Sequence, residues 1–161
     1  MDIKIRTIDL REQYEDIKNI IDGGACFPLI VTGNSMSPFF VHMRDTVFIT
    51  KPKGNFKKGD IVFYIRDTGQ FVMHRVHHID KKGYIYMVGD AQREIEGPLE
   101  QSCIFGIVKK AIRKGKYIDQ SDCIWKFFEK IWIRIVPFRV QTRKVASLCK
   151  RIGKIFYKRG N

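Results

Sequence analysis

Asp60-Ile61-Val62-Phe63-Tyr64-Ile65 is followed, after Asp67-Thr68-Gly69, by Gln70-Phe71-Val72-Met73-His74-Arg75-Val76-His77-His78-Ile79. Both runs are rich in β-branched and aromatic residues, and the break between them carries the Asp and Gly that suit a hairpin turn. The pair reads as a β-hairpin that delivers His74. Period-two alternation sets His74 on one face with Val72 and Val76, and Arg75 on the other, where a structural ion pair is expected of it. His78 shares the face of His74, and His77 points the opposite way. Working outward, Phe27 to Thr32, Thr46 to Thr50, Gly83 to Val88 and Ile104 to Ile112 have the same composition. Lys53-Gly54-Asn55, Asp80-Lys81-Lys82-Gly83 and Gly97-Pro98 supply turn signals between them. Residues 25–116 therefore read as one mainly β, coiled domain built from hairpins.

The flanks change period. Ile8, Leu10, Tyr14, Ile17, Ile20 and Ile21 recur near every 3.6 residues, so residues 1–24 predict a short amphipathic helix stopped by Gly23-Gly24 and packed on the body. Residues 117–161 read as a helical tail. Ile124, Phe128, Ile131 and Ile135 form a first stripe that Pro137 breaks, and Val145, Leu148, Ile152 and Phe156 form a second. Through Val108 there are 14 basic and 14 acidic residues; the remainder has 16 basic and 3 acidic, and so carries the whole net charge of +13. Such asymmetry predicts an anionic partner. Trp125 and Trp132 beside Lys126, Lys130 and Arg134 suggest a helix lying on an anionic membrane surface, with rings at headgroup depth. An intramolecular helical cap is the bland alternative, and nucleic acid is the least favoured partner. There is no run of 18 apolar residues and no secretory signal, which predicts a peripheral membrane or cytoplasmic protein. Cys26, Cys103, Cys123 and Cys149 lack C-x-x-C or zinc-ligand spacing and read as idle thiols of a reducing compartment.

Three fragments carry chemistry: Gly33-Asn34-Ser35-Met36-Ser37-Pro38, Met73-His74-Arg75-Val76 and Val88-Gly89-Asp90. A serine hydroxyl is a weak nucleophile near neutral pH and needs a base within reach, and the base gains from an acceptor that fixes its tautomer. Ser35 is the candidate nucleophile, His74 the general base and Asp90 the residue that orients it. Asp60 is a weaker rival for the orienting role and reads as a turn residue; His42 has only a minor claim on the site. The Ser35 backbone N–H is the expected oxyanion donor, with Asn34 beside it. No metal and no organic cofactor are implied.

The serine fragment resembles the G-x-S-M-x-P box of type I signal peptidases and of the related self-cleaving repressors. Arg44-Asp45-Thr46-Val47, Lys58-Gly59-Asp60-Ile61-Val62-Phe63, His74-Arg75-Val76 and Gly89-Asp90 resemble the boxes that follow, over roughly residues 28–112. The resemblance implies a signal-peptidase-like β fold and a serine endopeptidase acting on an extended leader or signal segment. His74-Arg75-Val76 matches the Ser-His variety found in the endoplasmic reticulum and archaea, where typical bacterial enzymes have Lys-Arg-Val. Bacterial relatives often add an oxyanion hydroxyl two residues before the nucleophile, a place that Gly33 leaves without a side chain. Two other readings stay open: a self-cleaving repressor-type regulator, and a non-enzymatic nucleic-acid-binding β-domain.

Overall fold

Val62 and His74 lie directly opposite each other across the central hairpin, in a register running from Ile61↔Arg75 to Ile65↔Phe71. The computed structural model describes residues 13–138. Its strands are β1 (Phe27–Ile30), β2 (Thr46–Thr50), β3 (Ile61–Ile65), β4 (Phe71–Ile79), β5 (Ile85–Val88), β6 (Glu96–Leu99), β7 (Ile104–Arg113) and β8 (Lys116–Asp119). They form one antiparallel sheet in the order β1-β2-β7-β3-β4-β5-β6, with β8 paired to the far end of β7. The domain is thus mainly β, as its alternating text predicts. Helix α1 (Tyr14–Asp22) and helix α2 (Cys123–Lys130) flank the sheet, and a 3-10 segment (Trp132–Phe138) follows α2.

Alternation along the strands divides the core into two parts. Ile61, Phe63, Val47, Ile49 and Val108 join Met36, Phe39 and Phe40 of the loop after β1 in one cluster. Val62, Tyr64, Val76, Ile85, Met87 and Ile107 form the other. Helix α1 buries Ile17 and Ile21, and Gly24 N–H closes its end on the Ile21 carbonyl. Its predicted start, with Ile8 and Leu10, lies outside the described residues.

Two strands escape the sequence pattern. Strand β6 contains Gly97-Pro98, which reads as a turn; proline is tolerated there because, among the described residues, β6 is an edge strand with no second neighbour to receive an N–H. Strand β8 continues β7 through a tight turn at Lys114 and Gly115, both at positive φ. A domain boundary at residue 116 therefore falls within a hairpin rather than between two units.

The tail helix also differs from its expected role. Trp125 is 1% exposed and meets Phe39 edge-on at 5.4 Å, while Phe128 lies 4.7 Å from the same ring. Trp132 packs on the same cluster. Trp125 is a core residue and the half-buried Trp132 packs against the same cluster, so neither is turned outward as a lipid anchor would be. The buried face runs through Trp125, Phe128, Ile133 and Val136, so Ile124 and Ile131 of the expected stripe remain exposed. Lys126, Lys130 and Arg134 are exposed, as a basic outer face requires. The second stripe, from Val145 to Phe156, lies outside the described residues. Because α2 completes the core, Trp125→Ala should cost about 3–5 kcal/mol of stability in chemical denaturation, and truncation after Lys116 should unfold the β-domain. A loss below about 1 kcal/mol for Trp125→Ala would make the helix peripheral.

Candidate active site

The loop that carries Ser35 is held from below by apolar side chains and from the side by backbone hydrogen bonds. Met36, Phe39 and Phe40 are buried, whereas Asn34 is exposed and Ser35 half-buried. Gly33, at φ 81°, takes the left-handed conformation that starts the turn. Its N–H donates to His42 Nδ1 at 3.0 Å, and Ser37 N–H donates to the Asn34 carbonyl at 3.1 Å. His42 thus ties the loop down rather than entering the chemistry. Among the described residues, no acceptor is bonded to the Ser35 N–H, so it is available for the oxyanion role expected of it. The Asn34 side chain likewise has no bonded partner there.

The Ser35 carbonyl accepts from Ala91 N–H at 2.7 Å. A Cβ at Gly89 would come within 2.6 Å of the same oxygen, so glycine is what lets the loop settle on this turn. Strand register then relates the serine to the histidine. Arg75 pairs with Val88, and one step further along the ladder puts Gly89 opposite His74. The Ser35 loop is thereby tied to the turn that faces the His74 position of β4, and among the described residues no hydrogen bond joins Ser35 to His74.

His74 is 2% exposed. Its Nδ1 lies 3.0 Å from the Tyr64 hydroxyl, which donates to Glu96 Oε2 at 2.8 Å. Arg66 grips the same carboxylate, with Nε 2.6 Å from Oε1 and its second nitrogen on Oε2. Burial lowers the His74 pKa to about 4, against an opposing pull from Glu96 and with a smaller push from Arg66. The imidazole is thus neutral across the physiological range.

Asp90 does not reach His74. It is fully buried, and its two oxygens accept from Arg75 Nε at 3.1 Å and from a terminal guanidinium nitrogen at 2.9 Å. Period-two geometry explains the correction. Asp90 lies two residues beyond Val88 and so follows the Arg75 side, while Gly89 follows the His74 side. The carboxylate behind the histidine is Glu96, through Tyr64, and neither residue stands out in the sequence as part of a site. Asp60 holds its own turn, accepting from Lys57 N–H at 2.9 Å, and burial raises its pKa. His77 and His78 sit against each other at the far end of β4, where His78 stacks on Tyr86.

A family model described as Peptidase S24-like matches residues 3–108. The chain belongs to the Peptidase S24-like family. No curated protein and no solved structure matches it. This family has a serine-peptidase-like fold and includes both signal peptidases and self-cleaving repressors. In this S24-like domain a cleft of about 700 Å³ is lined by Lys58, His77, Arg93, Glu94, Ile133 and Arg134. Among the described residues no cluster of His, Cys, Asp and Glu is arranged to hold a metal, and Cys26, Cys103 and Cys123 are free thiols.

Breaking the Arg75–Asp90 pair should be a folding lesion first. Asp90→Ala is expected to cost about 3–5 kcal/mol, because it strands a buried guanidinium. Arg75→Met combined with Asp90→Leu should recover much of that loss in urea denaturation. Equal destabilisation by the single and double variants would show that the pair is not the source.

Proposed function

We propose that the protein is a serine endopeptidase that removes a leader or signal segment from a peptide or preprotein, with Ser35 as nucleophile and His74 as general base. The observation that carries this reading is the Ser35 loop seated on the Gly89–Ala91 turn, opposite a buried and neutral His74. In the reaction Ser35 Oγ attacks the scissile carbonyl and its proton passes to His74, which returns it to the leaving amine. The free Ser35 N–H is suited to the oxyanion. His74 in place of lysine favours the Ser-His type of signal peptidase over the repressor branch. Strand β1 supports cleavage in trans: it is a sheet edge ending five residues before Ser35, open to pairing with an extended substrate.

Ser35→Ala and His74→Ala should each abolish cleavage of a leader-bearing preprotein, and the double variant should be little worse, because the pair acts as a unit. An acylating serine inhibitor should label Ser35. The value of kcat/KM should hold to roughly pH 5 and fall near pH 4, since the base works only when deprotonated and its pKa lies at about 4. An acid limb near the ordinary imidazole range, or cutting confined to this chain itself, would remove the reading.

We also place the protein at an anionic membrane surface. With Trp125 and Trp132 turned inward, the outer face of α2 offers Ile124, Phe127 and Ile131, at 37, 39 and 52% exposure, beside Lys126, Lys130 and Arg134. No helix among the described residues is long and apolar enough to cross a membrane. An exposed apolar row flanked by cations suits an interfacial contact, with each basic group contributing about 1 kcal/mol. Phe127→Glu with Ile131→Glu should abolish sedimentation with phosphatidylserine-rich vesicles, and salt should weaken binding by the parent. Equal binding by parent and variant, or none by either, would dismiss this face as a membrane contact.

A further inference from the structure

We propose that Tyr64 and Glu96 are positioning residues that hold His74 in its Nδ1–H tautomer, leaving Nε2 as the proton acceptor. The role in turnover rests on the Ser35–His74 reading above; the tautomer does not. The Tyr64 hydroxyl has one proton and two acceptors in reach, Glu96 Oε2 at 2.8 Å and His74 Nδ1 at 3.0 Å. Arg66 binds both oxygens of Glu96 and lowers its pKa, so the carboxylate is ionised. An ionised carboxylate is a stronger acceptor than a neutral imidazole, and the phenolic proton goes to Glu96. Burial and the neighbouring carboxylate raise the Tyr64 pKa, which keeps the phenol protonated.

The side of the Tyr64 oxygen facing His74 is then a lone pair. Nδ1 must donate to it, and a neutral ring protonated at Nδ1 has its free lone pair at Nε2. The opposite tautomer would leave two lone pairs facing each other in a site where Tyr64 is 0% and His74 2% exposed, and an unsatisfied buried group is costly. Among the described residues, the charged groups acting on the ring are Glu96 on β6 and Arg66 just beyond β3. Arg75 on β4 is engaged by Asp90 on the other face. When Nε2 takes the Ser35 proton, the ring becomes positive with Glu96 Oε2 3.8 Å from Nδ1. That carboxylate stabilises the cation while the Nδ1 proton stays in place, and no proton travels along the chain. The arrangement fulfils the orienting task expected of Asp90, with a phenol interposed.

Nitrogen-15 spectra of histidine-labelled full-length protein at neutral pH read the tautomer directly. The parent should give the Nδ1–H pattern for His74. Tyr64→Phe removes the acceptor and should shift the ring toward Nε2–H, with kcat lower by about 10²-fold, within the range of a positioned general base, and KM little changed. Glu96→Gln, at a half-exposed edge, serves if Tyr64→Phe fails to fold. Loss of the ionised acceptor frees the Tyr64 proton for Nδ1, so the Nε2–H fraction should rise. The acid limb of kcat/KM should move to lower pH, because the charge that favours the imidazolium is gone. An Nε2–H pattern in the parent overturns the proposal even if Ser35 is acylated. An Nδ1–H pattern without acylation of Ser35 upholds the tautomer and overturns its role in turnover. Unchanged tautomer and kcat in both variants overturn the positioning role.

Discussion

The buried ion pair between Arg75 and Asp90 is the interaction on which the site depends. Both residues are fully buried, so neither charge can be left alone without a penalty of several kcal/mol. The pair is also a junction. A third guanidinium nitrogen donates to the Gly59 carbonyl at 2.9 Å, and the guanidinium lies over the Phe39 ring at 5.3 Å. The Asp90 carbonyl accepts from Trp132 Nε1 at 2.9 Å. One ion pair thus joins the histidine strand, the loop after Ser35, the turn before β3 and the segment that follows α2. Fixing Asp90 fixes the Gly89–Ala91 turn, and that turn receives the Ser35 carbonyl.

Two neighbouring residues on β4 meet opposite electrostatic fates. Arg75 is buried as a cation because Asp90, a backbone carbonyl and an aromatic face surround it. His74 is buried without a direct anion, and desolvation keeps it neutral. Glu96 approaches it only across the Tyr64 hydroxyl, and Arg66 shares that carboxylate. The ring is therefore spared the full pull of a directly bonded anion, which would raise its pKa. An imidazole that stays unprotonated over a wide pH range follows from this distance.

Much of the fold was legible because the strands obey composition and alternation. The ends of β2, and β3 and β4 to within a residue, can be read from their β-branched runs and the Asp67-Thr68-Gly69 turn. Strand β6 was hidden because Gly97-Pro98 looks like a turn, and an edge position is what makes proline acceptable there. The tail misled for a different reason. Tryptophan beside lysine fits a lipid interface and a domain core equally well until Phe39 and Phe40 are known to lie beneath it. At the site, Ser35 and His74 stand out by residue type and context. The partner of His74 does not, because a carboxylate's target depends on register and strand order. Alternation did set Arg75 opposite His74 and gave it an ion pair; what it lacked was the pairing of Arg75 with Val88, which takes Asp90 to the Arg75 side.

The alternation of His74 and Arg75 makes strand register a chemical specification as well as a structural one. In a β-strand, slipping by a single position exchanges the two faces. Such a slip in β4 would either set Arg75 where the neutral imidazole belongs and leave Asp90 facing Val76, or set His74 against Asp90 and leave Met73 in the place of the imidazole. Misregistered molecules would then carry a buried charge without its partner, and be unstable for that reason. The same ladder that holds the sheet together therefore sorts the chemistry of its side chains: only the chain that has paired Val62 with His74 presents a neutral imidazole at that place.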